Sequence, residues 1–199
     1  MGRIERGFTL IEVVVVIIVL AVVASITVPR AIKVSPAQKV QRAALSLTRD
    51  LEQLRMRAIA AKRRIRVHFY QPQNFYSAFM DVTTDHAGTI AETEEEARAA
   101  GLLIRGSSGG IPGVELPTGV TFGAGLATSG PLGGTIPAPI DLENGYVEFD
   151  ARGMVIPPGE GGGAIYLEHE EDPNAVAVVT ISGASAFRAY RYINGEWVK

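Results

Sequence analysis

The chain has 199 residues, with 19 basic and 21 acidic side chains and a formal charge of −2. Its 47% hydrophobic and 20% charged content excludes a disordered charged tail, and the near-neutral charge excludes a uniformly basic nucleic-acid binder. The absence of cysteine excludes a disulfide scaffold, a thiolate zinc site and a cysteine nucleophile.

The apolar residues are concentrated at one end. Phe8 to Val28 are 21 residues with a single charge, Glu12, and Val13 to Ala24 are uninterruptedly apolar. As a helix, 21 residues cover about 30 Å, the thickness of a bilayer core. A soluble core helix of this length is rarely apolar on every face. Met1 to Gly7 form a short polar leader with Arg3 and Arg6. A secretory signal is cut at small residues after its apolar stretch, and Ala21, Ala24 and Ser25 fit that spacing. The length of the run and the helical pattern beyond it favour a retained anchor.

The string Gly7-Phe8-Thr9-Leu10-Ile11-Glu12, between a basic leader and an apolar run, resembles the processing site of type IV prepilins and type II secretion pseudopilins. The resemblance implies cleavage by a prepilin peptidase between Gly7 and Phe8, and methylation of the new amine on Phe8. It also implies an assembly role for Glu12. The physics of Glu12 agrees, because a carboxylate inside an apolar span is costly and is usually paired or functional. The amine of a neighbouring subunit's Phe8 is the expected partner.

Pro29 and Pro36 predict a kink outside the membrane, since proline removes a helical hydrogen bond and clashes with the preceding turn. Beyond them Val40, Ala44, Leu47, Leu51, Leu54, Ala58 and Ala61 recur every three or four residues, the pattern of a helix with one apolar stripe. The expectation is one long helix over 8–64, its second half leaning on a globular head. Charge divides at the same place. Residues 30–66 carry eleven basic and two acidic side chains, whereas 67–199 carry six basic and seventeen acidic. That asymmetry points to complementarity between stem and head or between neighbouring subunits.

After residue 64 the pattern becomes β. Arg66 to Tyr70 and Phe75 to Val82 read as a hairpin about Gln71-Pro72-Gln73-Asn74. Val120 to Phe122, Tyr146 to Phe149, Ala164 to Leu167, Ala175 to Ile181 and Ala186 to Ile193 read as further strands. Ala91 to Ala100 reads as a polar helix, and Gly106 to Gly113 and Ser129 to Gly134 as Gly-rich loops.

Several features resemble the GspH/FimT group of minor pseudopilins and minor pilins. They are the stem around Leu51, Leu54, Arg57 and Ala58, the string Gly145 to Asp150 with Arg152-Gly153, and the closing strand Val176 to Ile181. The resemblance implies an α+β, pilin-like lollipop in which a long N-terminal helix, half membrane and half amphipathic, packs on a β-sheet head. The corresponding divisions are a cleaved leader over 1–7, a transmembrane or filament-core helix over 8–29, an amphipathic stem over 30–64 and a periplasmic head over 65–199. The implied function is that of a minor pseudopilin in a type II secretion system, held in the bacterial inner membrane by a single pass. Its partners would be other pseudopilins or pilins, the peptidase, the inner-membrane assembly platform and membrane lipid.

No enzyme chemistry is expected, and no cofactor or metal. His68, His86 and His169 lack metal-ligand spacing. Asp81 to His86 lacks the run of ligands of an EF-hand calcium loop. The Gly-rich segments lack the Lys-Ser/Thr of a P-loop. Glu168, Glu170, Glu171 and Asp172 read as a solvated acidic turn. The alternative is a FimT-like minor pilin acting in pilus assembly or DNA uptake. Arg188, Tyr190 and Arg191 would then contact nucleic acid by stacking and charge. The acidic head opposes phosphate binding.

Overall fold

The structure, a computed structural model, describes residues 9–31, 34–83, 90–93, 95–96, 106–108, 110–156 and 162–199, with side chains for all but 24–31 and 106–108. Residues 1–35 and 36–199 are two separate units. In the first, helix α1 spans Leu10–Ala31. Thr9 opens it: its carbonyl accepts the N–H groups of Glu12 and Val13, and its hydroxyl accepts that of Glu12. Thr9 and Glu12 thus have the spacing of a capping box, which seats a carboxylate by the positive end of the helix dipole.

The expected single helix over 8–64 is two. Helix α1 runs through Pro29, and helix α2 begins afresh at Pro36 and ends at Ala61. Proline suits the first position of a helix, where its missing N–H is not needed, and Ser35 before it is a favoured capping residue. At the far end Lys62 takes a left-handed φ of 53°, which stops α2.

Among the described residues the head has twelve strands in two antiparallel sheets. The first sheet contains β1 (Ile65–Tyr70), β2 (Phe75–Met80), β3 (Gly106–Ser108), β4 (Ile111–Glu115), β7 (Tyr146–Phe149) and β8 (Val155–Ile156), in the order β3-β4-β2-β1-β7-β8. The second contains β5 (Val120–Phe122), β9 (Gly163–His169), β10 (Asp172–Ile181), β11 (Phe187–Ile193) and β12 (Glu196–Val198), in the order β12-β11-β10-β9-β5. A short strand β6 (Ile140–Asp141) also pairs with β9.

The predicted hairpin β1–β2 pairs in register from Ile65↔Met80 to Tyr70↔Phe75. One expectation fails: Gly106 to Gly113 is not a loop but contributes the β3–β4 hairpin. The strand survives its glycines because Gly113 lies against Phe75 and the Tyr76 carbonyl, leaving no room for a Cβ. Of the expected helix Ala91 to Ala100, Ala91 to Thr93 are not helical, Glu95 and Glu96 are, and residues 94 and 97–100 lie outside the described residues.

The core is built on the stripe of α2. Val40, Ala44, Leu47, Leu51, Leu54 and Ala58 are buried with Ile65 and Val67 of β1 and with Ile165, Leu167, Ala177 and Val179 of the second sheet. Alternation sends the other side chains of each strand outward. On the outer face of the second sheet they form a smaller cluster, in which Ala164, Tyr166 and Val178 meet Tyr190 and Trp197.

Candidate functional site

Two regions carry the residues singled out in the sequence. The first is the start of α1. Gly7 and Phe8 lie outside the described residues. Glu12 sits in the first turn with its side chain exposed. Every side chain from Leu10 to Val23 is exposed, and Val13 to Val23 are apolar throughout. A helix exposing apolar side chains on all faces forgoes about 1.5–3 kcal/mol for each large one left uncovered. Among the described residues no helix is long and apolar enough to cross a membrane.

The second region is β11. Arg188, Tyr190 and Arg191 do not share a face. Arg188 and Tyr190 point to the outer side, into a cleft of about 500 Å³ closed by the Gly130–Gly133 loop and shared with Asp141 and Tyr166. Burial first, and then the Asp141 carboxylate, push the Tyr166 phenol up. The loop is held by Trp197, whose indole N–H donates to the Ser129 carbonyl at 2.7 Å. Arg191 belongs to the opposite face, in a notch of about 60 Å³ with Gln41 and Leu45 of α2. Strand alternation accounts for the split, since residues three apart in a strand face opposite ways.

The remaining candidates have structural roles. His68 Nδ1 lies 2.6 Å from Glu92, and its ring stacks on Tyr70. His169 is buried, with Nδ1 accepting the Glu171 N–H at 3.2 Å. The Asp81 carboxylate accepts the N–H and hydroxyl of Thr83 in an Asx turn. Thr84, Asp85 and His86 lie outside the described residues. Among the described residues no group of His, Cys, Asp or Glu is placed to hold a metal. The expected acidic turn is narrower than read: Glu168 lies within β9 and accepts the Gly125 N–H, Asp172 opens β10, and Glu170 and Glu171 form the exposed turn between them.

The polar contacts that organise the head were not foreseen from the sequence. Arg66 reaches Glu148 through Nε at 3.1 Å and Nη2 at 3.0 Å, lies over the Tyr146 ring at 4.1 Å and pairs with Glu92 at 3.6 Å. Burial raises the Glu92 carboxyl, but His68 and Arg66 together outweigh it and hold the group below its ordinary range. Burial first, and then Glu92, push the Tyr70 phenol up to about 12. On α2, the buried Asp50 accepts the Tyr76 hydroxyl at 2.6 Å. Asp50 did carry a signal: it lies three residues after Leu47 and four before Leu54, so helical spacing puts it on the buried face.

Residues 2–28 match the prokaryotic N-terminal methylation motif, so the chain begins with a type IV prepilin-like segment. No curated protein matches the chain. Among solved structures, the type IV minor pilin FimU of Pseudomonas aeruginosa is similar at 13% identity and a TM-score of 0.42, covering 80% of this chain and 92% of that one. The minor pseudopilin EpsH from the Type 2 Secretion System of Vibrio cholerae is similar at 12% identity and a TM-score of 0.45, with 76% and 95% covered.

Proposed function

We propose that this chain is a minor subunit of a type IV pilin-like filament, anchored in the bacterial inner membrane and assembled into the periplasmic pseudopilus of a type II secretion system. The observation that carries it is the methylation motif over residues 2–28, which takes in most of the apolar helix α1 and has Glu12 in that helix's first turn. Prepilin peptidase cuts between Gly7 and Phe8 and methylates Phe8. The leader leaves, and the apolar helix stays in the membrane until the assembly platform draws it into the filament. There, neighbouring helices cover the side chains that α1 exposes. The Glu12 carboxylate meets the Phe8 amine of a neighbour and fixes the register, as one buried polar group does in a coiled coil. The chain acts by packing and is the substrate of an enzyme.

The test is the mature N-terminus. Expressed with a prepilin peptidase, the membrane-bound protein should begin at Phe8 and carry one added methyl group by mass spectrometry. A chain that keeps residues 1–7, or is cut after Ala24, overturns the proposal. Co-purification with secretin-linked pseudopilins would support secretion, and with pilus or competence subunits the alternative.

The outer cleft with Arg188 and Tyr190 favours a second reading, a FimT-like minor pilin that contacts DNA. Because Arg191 faces away, DNA bound in that cleft depends on Arg188 and not on Arg191. In a low-salt gel shift with residues 36–199, Arg188→Ala should abolish binding and Arg191→Ala should leave it. Equal loss in both variants, or no binding at all, counts against DNA held in this cleft.

A further inference from the structure

Leu45 is an exposed leucine, 40% accessible, on the face of α2 turned away from the core. Arg42 and Arg49, three residues before it and four after, flank it on the same helix face. Across the notch stand Arg191 of β11 and Lys199. All four cations are exposed, and among the described residues none of them has a hydrogen bond or an ion pair. The carboxylates nearest in the chain are Asp50, which follows Arg49 but is buried and accepts the Tyr76 hydroxyl, Glu52, three residues beyond Arg49, and Glu196, which opens β12. This socket, an exposed leucine flanked by cations that are unpaired among the described residues, suits an acidic turn.

Such a turn exists in the same molecule but out of reach of its own socket. Glu170 and Glu171 are exposed at the tip of the β9–β10 hairpin, also unpaired among the described residues. Arg191 pairs with Ala177, six residues along β10 from Glu171. That is about 20 Å at strand rise, more than two Debye lengths at physiological salt. The tip therefore finds such a socket only on another molecule.

We propose that the socket around Leu45 receives the Glu170–Glu171 hairpin tip of a second copy of this chain. The two patches differ, so the contact is heterologous and leaves a free tip and a free socket at its ends. Such contacts close into rings or propagate as helical filaments. The proposal rests on the assembly role given above and adds to it that two copies of this chain stand next to one another. A hairpin tip in a notch buries far less than the about 1,200 Å² of a stable interface. It acts when α1 already holds the copies side by side at high effective concentration.

The chain has no cysteine, so single introduced thiols report this contact without background. Full-length Leu45→Cys and Glu171→Cys proteins are mixed in detergent and treated with a short bis-maleimide. The expected result is a mixed dimer, well above the yield of a Leu45→Cys and Glu143→Cys mixture. Its yield should fall by about fivefold or more at 1 M salt, where the Debye length is about 3 Å. Arg49→Glu with Arg191→Glu should suppress it, and Glu170→Lys on the other copy should restore it. Every altered side chain is exposed, and an unchanged thermal melt confirms that the variants fold.

A yield equal to the Glu143 control overturns the proposal, as does Leu45→Cys pairing mainly with itself. Duplex DNA bound by the patch and released by Arg49→Glu, with no mixed dimer, overturns it in favour of nucleic acid. Loss of the dimer with filament incorporation intact removes the head contact alone. Loss of incorporation with the dimer intact removes the assembly role alone.

Discussion

At the scale of single residues, the head is stabilised by a few buried polar groups in an apolar setting. Tyr76 is 1% exposed and donates to Asp50, itself 3% exposed, so one contact ties β2 to α2. Removing the hydroxyl strips a hydrogen bond from a buried carboxylate. Tyr76→Phe should cost about 1–3 kcal/mol in urea unfolding, and a loss under about 0.3 kcal/mol would show that other contacts suffice. Glu92 gives a pH dependence. Its folded-state carboxyl lies below the ordinary value of 4.5, so it adds stability above that value and loses it as pH falls through the lowered one. Glu92→Gln should therefore lower the urea midpoint at pH 7 and flatten its decline below about pH 4.5. Parallel curves for the two proteins would contradict this role.

At the scale of elements, α2 is the spine on which both sheets meet. Arg55 extends it beyond the apolar stripe. Its Nε donates to the Gly153 carbonyl at 3.0 Å and its Nη1 to the Ser185 carbonyl at 3.2 Å, joining the β7–β8 turn to the β10–β11 turn. Gly153 has φ +76°, and a Cβ there would stand 2.7 Å from Ile59 Cδ1. Asp150 shapes the same turn by accepting the N–H groups of Arg152 and Met154. Burial raises the Asp150 carboxyl, but these donors and the Arg152 side chain bring it below its ordinary range. Gly153→Ala should destabilise the head by more than about 1 kcal/mol, read as a lower melting temperature. An unchanged melt would mean that the turn adopts another conformation without cost.

At the scale of the whole molecule, the two units have opposite needs. Residues 36–199 enclose their own core, whereas the side chains of α1 from Leu10 to Val23 are exposed. Under the proposed function, lipid and then neighbouring helices cover them. Glu12 is the charge that distinguishes these two environments. Glu12→Leu should leave insertion and cleavage intact but reduce incorporation, measured by pull-down with the major subunit. Unchanged incorporation would leave Glu12 only its place in the helix cap. The charge division between stem and head is distributed in two ways. Arg64 and Arg66 meet Glu148 within the molecule, while Arg42, Arg49 and Arg191 remain open to solvent.

The residues alone determined whatever depends on local order along the chain. The Gly7-to-Glu12 string, the apolar run after it and the three-and-four spacing from Val40 to Ala61 are all contiguous patterns. They located the N-terminal methylation motif, α1 and the buried face of α2. The alternating runs also located the longer strands. Tertiary structure decided what depends on residues far apart in sequence. The β3–β4 hairpin is stabilised by pairing with β2, which a Gly-rich run does not advertise. Arg66 finds Glu148 82 positions away, and Arg55 finds Ser185 130 positions away. It also separated Arg188 from Arg191, which look like one patch in sequence. A strand turns successive side chains to opposite sides, so one enters the outer cleft and the other the socket beside α2.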